Sequence, residues 1–149
     1  MKSLLGKLGV ILIGLAIFGN AEVWGADWQK YEENERVLCF YDAENLTHYD
    51  GESLSQPSQN IIKVWVKFEY KDIGLTDPVL VKKFGKKINK LDNSKSLYEI
   101  NCVGRKYRIL ESVFYSKDGS VLSMNSIPSN WKYIIRESLN GALHKAVCK

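Results

Sequence analysis

Between residues 60 and 70 the chain reads NIIKVWVKFEY, with Ile62, Val64, Val66, Phe68 and Tyr70 at alternate positions and Lys63, Trp65, Lys67 and Glu69 between them. A period of two is the mark of a strand with one face in the core and the other toward water. RVLCFYD at 36–42 has the same β-branched and aromatic content and predicts a second strand. The stretch between them, 43–59, holds Asp50-Gly51 and Pro57 among polar residues and predicts a loop that reverses the chain. Further strands are predicted over 97–103 and 106–115, hinged at Gly104. Asp118-Gly119 marks a tight hairpin turn, because both residues tolerate positive φ, and it leads into a strand at 120–125.

Two stretches have helical spacing instead. In TDPVLVKKFGKKINKL, Asp77 is a cap and Pro78 a first-turn residue, and Leu80, Phe84, Ile88 and Leu91 fall on one face. Gly85 costs about 1 kcal/mol inside such a helix relative to Ala. The second helix runs from about Ser138 to Val147, with Leu139, Leu143 and Ala146 in line to dock on the sheet face that carries Val64, Val66 and Phe68. These elements predict an α+β fold: an antiparallel sheet of about five to six strands, an inserted helix, and a C-terminal helix packed on the sheet.

Ahead of these elements lies a different pattern. Lys2 and Lys7 precede an uncharged apolar run from Leu8 to Phe18, which is short of the roughly 20 residues of a membrane-spanning helix. This reads as a secretory signal peptide over residues 1–25, with small residues permitting cleavage after Ala21 or, as preferred here, after Gly25. The remaining 26–149 form one domain, exported to the periplasm, the cell surface or the medium, with no membrane span once the leader is removed. No cysteine precedes Cys39, which argues against a lipid anchor at the mature N-terminus. Losing Lys2, Lys7 and Glu22 lowers the formal net charge by one from +4, too mild a balance to imply nucleic acid. Cys39, Cys102 and Cys148 permit at most one internal disulfide and leave one thiol over.

Candidate chemistry is sparse. His48 and His144 have no neighbours at metal-ligand spacing, so no metal site is expected. Glu32, Glu33, Glu35, Asp42 and Glu44 crowd the first strand region, as expected of a charged turn, and no nucleophile elbow or phosphate-binding glycine loop is present. Neither a catalytic residue nor a cofactor is predicted. The clearest electrostatic feature is Lys82, Lys83, Lys86, Lys87 and Lys90 on the inserted helix, a solvated face that is also a candidate contact for an anionic partner. Trp65 stands on the charged side of its strand as a second candidate contact. Trp131 is expected to pack beside the last helix.

Taken in order, IKVWVKFEY, LDNSKSLYEINCVGRKYRILESVFYSKDGSVL, NWKYI and ALHKAVCK resemble the surface-adhesin protein E-like family of small exported bacterial domains, over residues 28–149. The resemblance implies an antiparallel sheet with a packed helix and a Cys102–Cys148 disulfide, which leaves Cys39 as an extra thiol. Closing a loop of that length stabilises by up to ~4 kcal/mol in the chain-entropy model. The family pattern leads us to expect Tyr at His144, an acidic residue at Gly141 and proline at Arg136, departures that weaken the start of the last helix. The function implied is a non-catalytic, adhesin-like binding module whose partner is a host matrix or serum protein, or another envelope protein, with oligomers possible. A periplasmic accessory or assembly protein is the alternative, and a small hydrolase a third.

Overall fold

The computed structural model describes residues 25–50 and 60–149. The leader expected over 1–25 lies outside the described residues except for Gly25, as does the 51–59 part of the expected loop. The eight described strands are β1 (Trp28–Glu33), β2 (Val37–Asp42), β3 (Thr47–Asp50), β4 (Asn60–Tyr70), β5 (Leu91–Asn101), β6 (Lys106–Ser116), β7 (Val121–Asn125) and β8 (Lys132–Tyr133). They form one antiparallel sheet in the order β1-β2-β4-β5-β6-β7, with β3 also paired to β4 and β8 to β6. Helix α1 (Pro78–Phe84) is inserted between β4 and β5, and α2 (Leu139–Val147) closes the chain.

β4 has the expected bounds, and its alternation becomes burial: Ile62, Val64 and Val66 are fully enclosed. They join Tyr98, Ile100, Ile134, Leu143 and Val147 in the core, so α2 docks where its apolar line predicts. The Asp118-Gly119 turn forms and leads into β7, with Gly119 but not Asp118 at positive φ (84°) and the Ser120 amide bonded to Asp118 Oδ1 at 2.9 Å.

Several elements differ from the sequence expectation. The inserted helix does not run to Leu91. Asp77 Oδ1 caps it by accepting from the Val79 and Leu80 amides, at 2.9 and 3.3 Å, but Gly85 takes φ 53° and ends the α-helix. Residues Gly85–Lys90 continue as a 3-10 helix, and Leu91 is buried as the first residue of β5. β5 starts six residues before the expected strand because its inward positions there are Ser94 and Ser96. They are satisfied by the hydroxyls of Tyr70 at 2.8 Å and Ser112 at 2.9 Å, a buried alternation without a hydrophobic one. Two short edge strands, β1 and β3, lie in stretches that carry charge and no clean period, and a bulge between Lys30 and Glu32 leaves Tyr31 without a strand partner.

The C-terminal segment is held by several contacts. Cys102 and Cys148 form a disulfide with a Cα–Cα distance of 5.6 Å, joining the turn after β5 to the residue after α2. Ser138 Oγ accepts from the Gly141 amide at 3.1 Å and caps α2. Gly141 does not weaken this start. A Cβ at position 141 would overlap the carbonyl oxygens of Ile135 and Arg136, so glycine is what lets the preceding turn fold against the first turn of the helix.

Candidate binding face

Strand alternation gives the sheet two unlike faces. α2 covers the side of Ile62, Val64 and Val66. α1 lies on the same side, with Phe84 edge-on to Phe114 at a centroid distance of 5.2 Å, and Phe114 is paired with the inward Ser94. Both helices therefore leave the opposite side to Phe40 of β2, Trp65, Lys67 and Glu69 of β4, Asn93 and Lys95 of β5, and Tyr115 of β6. Trp28 of β1 reaches over this open face.

Its centre is a pair of like charges. Lys67 and Lys95 are direct cross-strand partners, an arrangement that costs stability unless something offsets the repulsion. Lys67 Nζ lies 3.0 Å from Glu69 Oε1, 4.9 Å from the Phe40 ring centroid and 5.1 Å from that of Trp28. Lys95 Nζ lies 5.9 Å from the Trp28 ring and 5.5 Å from the Tyr115 ring. Aromatic faces are negative, so the rings hold both ammonium groups in place. Beside them is a cleft of about 490 Å³ lined by Trp28, Asp42, Trp65, Lys95, Glu111 and Tyr115.

Asp42 builds this cleft and is not free to act in it. Its Oδ1 accepts from the amides of Asp27, Glu44 and Asn45 at 3.1, 3.1 and 3.3 Å, and its Oδ2 from Asn45 Nδ2 at 2.7 Å. The buried carboxylate thus ties the start of β1 to the turn after β2. Toward its other end the open face is closed by the chain before β8. Arg108 donates from Nε and Nη2 to Glu99 Oε1, at 2.9 and 2.7 Å, and Trp131 stacks on its guanidinium at 4.8 Å. Trp131 therefore lies on the side away from α2, contrary to the expected position, because its indole is drawn to the arginine that neutralises buried Glu99.

The lysine cluster is on the helix side of the molecule, so the structure does not bring it together with Trp65. Lys82 and Lys83 are on α1, and Lys86, Lys87 and Lys90 on the 3-10 helix. All five are exposed, and none makes an ion pair among the described residues. Lys83 Nζ sits 4.4 Å from the Phe114 ring centroid. Trp28, Phe40, Lys95, Glu111 and Tyr115 were not singled out in the sequence. Each is unremarkable in its own strand, and only strand register places them around Trp65.

Cys39 is free but fully buried, and burial pushes its thiol up to about 12. A thiolate is the reactive form, so Cys39 is unsuited to an intermolecular disulfide in the folded protein. The Tyr31 hydroxyl is buried beside it, and desolvation raises its ionisation well above that of an ordinary phenol. On the helix side a second hollow, of about 390 Å³, is lined by Val37, Phe68, Tyr70, Leu80 and Leu139, with the Arg36–Asp77 pair at 3.7 Å. Among the described residues there is no group of three or more His, Cys, Asp or Glu that could hold a metal ion, and no helix long and apolar enough to cross a membrane.

A family model described as surface-adhesin protein E matches residues 28–149. No curated protein and no solved structure matches the chain.

Proposed function

Because this chain belongs to the surface-adhesin protein E family, we propose that it is an exported, non-catalytic binding module that holds a partner at the cell envelope through the open face of its sheet. Residues 1–25 serve as the removed leader and 26–149 as the mature domain. The observation that carries the reading is the division of the sheet: both helices cover one side, and the other presents Trp28, Phe40, Trp65 and Tyr115 around Lys67 and Lys95. Aromatic rings set among charges on a rigid strand surface are the usual anchors of a protein contact. The test has two arms. Protease added to intact producing cells should remove the domain, and beads coated with the purified protein should adhere to cultured host cells or immobilised matrix proteins, with Trp65→Ala lowering adherence. Protection from protease would favour a periplasmic accessory role, and adherence unchanged by Trp65→Ala would move the contact elsewhere.

A second reading has its own observation. Lys82, Lys83, Lys86, Lys87 and Lys90 are exposed without ion pairs among the described residues, and we assign them as a second contact, for an anionic partner.

A further inference from the structure

We propose that the cleft between Trp28 and Trp65 is a saccharide site that takes a neutral, pyranose-containing glycan. The inference rests on the reading of the open face as the contact surface and gives that surface a ligand chemistry. The hollow of about 490 Å³ is of a size typical for small-molecule sites, and its apolar walls are two indoles and a phenol with Ala26 and Val113 beside them. An aromatic face is electron-rich, so it attracts polarised C–H groups such as those on the flat side of a pyranose ring. Trp28 is already fixed for such stacking, with Lys67 5.1 Å and Lys95 5.9 Å from its ring centroid and Asp42 pinning the backbone beside it.

The polar groups narrow the class. Lys95 is a donor and Glu111 an acceptor; both line the cleft, and neither makes an ion pair among the described residues, with each other or with any other group. An anionic ligand would meet Glu111, and a cationic one Lys95 and Lys67. A purely apolar ligand would strip water from two charges and return nothing. A hydroxyl both donates and accepts, so a polyol can bridge an ammonium and a carboxylate that do not touch. Neutral sugar hydroxyls above stacked rings answer Lys95, Glu111 and the aromatic walls together.

The test uses the purified mature protein and four probes: maltotriose, cellotriose, chitotriose and a heparin fragment. Tryptophan fluorescence gives the affinities, and the indole N–H resonances in two-dimensional NMR locate the site. At least one neutral trisaccharide should shift the Trp28 and Trp65 indoles saturably. Its affinity should fall at least about tenfold in Trp65→Ala and in the near-isosteric Glu111→Gln, and stay unchanged in Lys87→Gln. The proposal is overturned if no neutral probe shifts these indoles, if only heparin binds and salt removes it, or if Glu111→Gln leaves the affinity intact. Cell adherence separates this inference from the one beneath it. If adherence depends on Trp65 while no saccharide shifts the indoles, the open face stands and the sugar assignment falls. If saccharides bind and adherence ignores Trp65, the sugar assignment stands and the adhesion reading falls.

Discussion

His144 Nε2 lies 3.0 Å from the carbonyl oxygen of Cys102, so the residue that closes the disulfide from the sheet side also accepts a hydrogen bond from the helix that carries the other cysteine. A carbonyl can only accept, which places the proton on Nε2. Histidine at this position therefore has a partner of its own, in a half-buried site between helix and turn. His144→Phe should cost about 1 kcal/mol, the usual net worth of a hydrogen bond. Chemical denaturation checks the value, and an unchanged midpoint would mean the bond contributes nothing in solution.

Leu143 is 1% exposed in the core, against Ile62, Val64 and Val66. Removing most of its side chain leaves a cavity that neighbouring strands cannot fill, so Leu143→Ala should lower stability by ~2–5 kcal/mol. A thermal melt within a degree or two of the parent would show that α2 is not packed on the sheet.

Gly141→Ala tests the start of the same helix from the opposite direction. Alanine is the better helix former by about 1 kcal/mol, so propensity alone predicts stabilisation. Overlap with the Ile135 and Arg136 carbonyl oxygens predicts the reverse. We expect a lowered melting temperature, with circular dichroism showing a frayed last helix.

Cys39 and Tyr70 have ionisations raised from 9.0 and 10.0 to about 12, both chiefly by burial. The folded state then holds these protons where the unfolded state releases them, so the unfolded state binds fewer protons and stability falls as pH rises. The loss should begin near pH 9, where the unfolded thiol ionises, and grow toward 12. Stability measured across that range should decline less steeply in Cys39→Ser. Alkylation of native Cys39 should stay slow at pH 9, and peptide mapping should recover Cys102 linked to Cys148.

If the lysine cluster binds an anionic partner, exchanging Lys82, Lys83, Lys86 and Lys87 for Gln should abolish that binding and leave the melting temperature nearly unchanged, since none of the four is in an ion pair among the described residues. Screening shortens to about 8 Å at physiological salt, so the parent's binding should weaken steeply as salt is added. Binding that survives both treatments would place the site elsewhere.

What was legible in the sequence follows the chemistry of each element. β4 announced itself because its buried positions are aliphatic, and α2 because its apolar line matches a cap at Ser138. The first half of β5 did not, since Ser94 and Ser96 are buried through hydrogen bonds to Tyr70 and Ser112, partners remote in sequence. Gly85 was visible as a helix cost, but whether it bends, packs or ends the helix depends on φ, which composition does not state. Of the open face only Trp65 stood out, because it interrupts a charged row. The cross-strand neighbours Lys67 and Lys95, and the Trp28 ring above them, exist as a group only once register is set.

The sheet follows the chain closely, with β4, β5, β6 and β7 each laid beside its predecessor. A polypeptide that emerges N-terminus first can therefore pair these strands as they arrive, mostly through hairpins that close quickly. The helix that covers their apolar side, α2, follows these strands in the chain, and Cys148 follows the helix. Until that helix docks, Ile62, Val64, Val66 and Ile100 lack their cover, the condition in which chains aggregate or recruit chaperones. The Cys102–Cys148 bond can form only once α2 has been made, because its second cysteine follows that helix. Without that bond α2 is held on the sheet by its packing and the His144–Cys102 hydrogen bond, and its loosening would uncover that one apolar side.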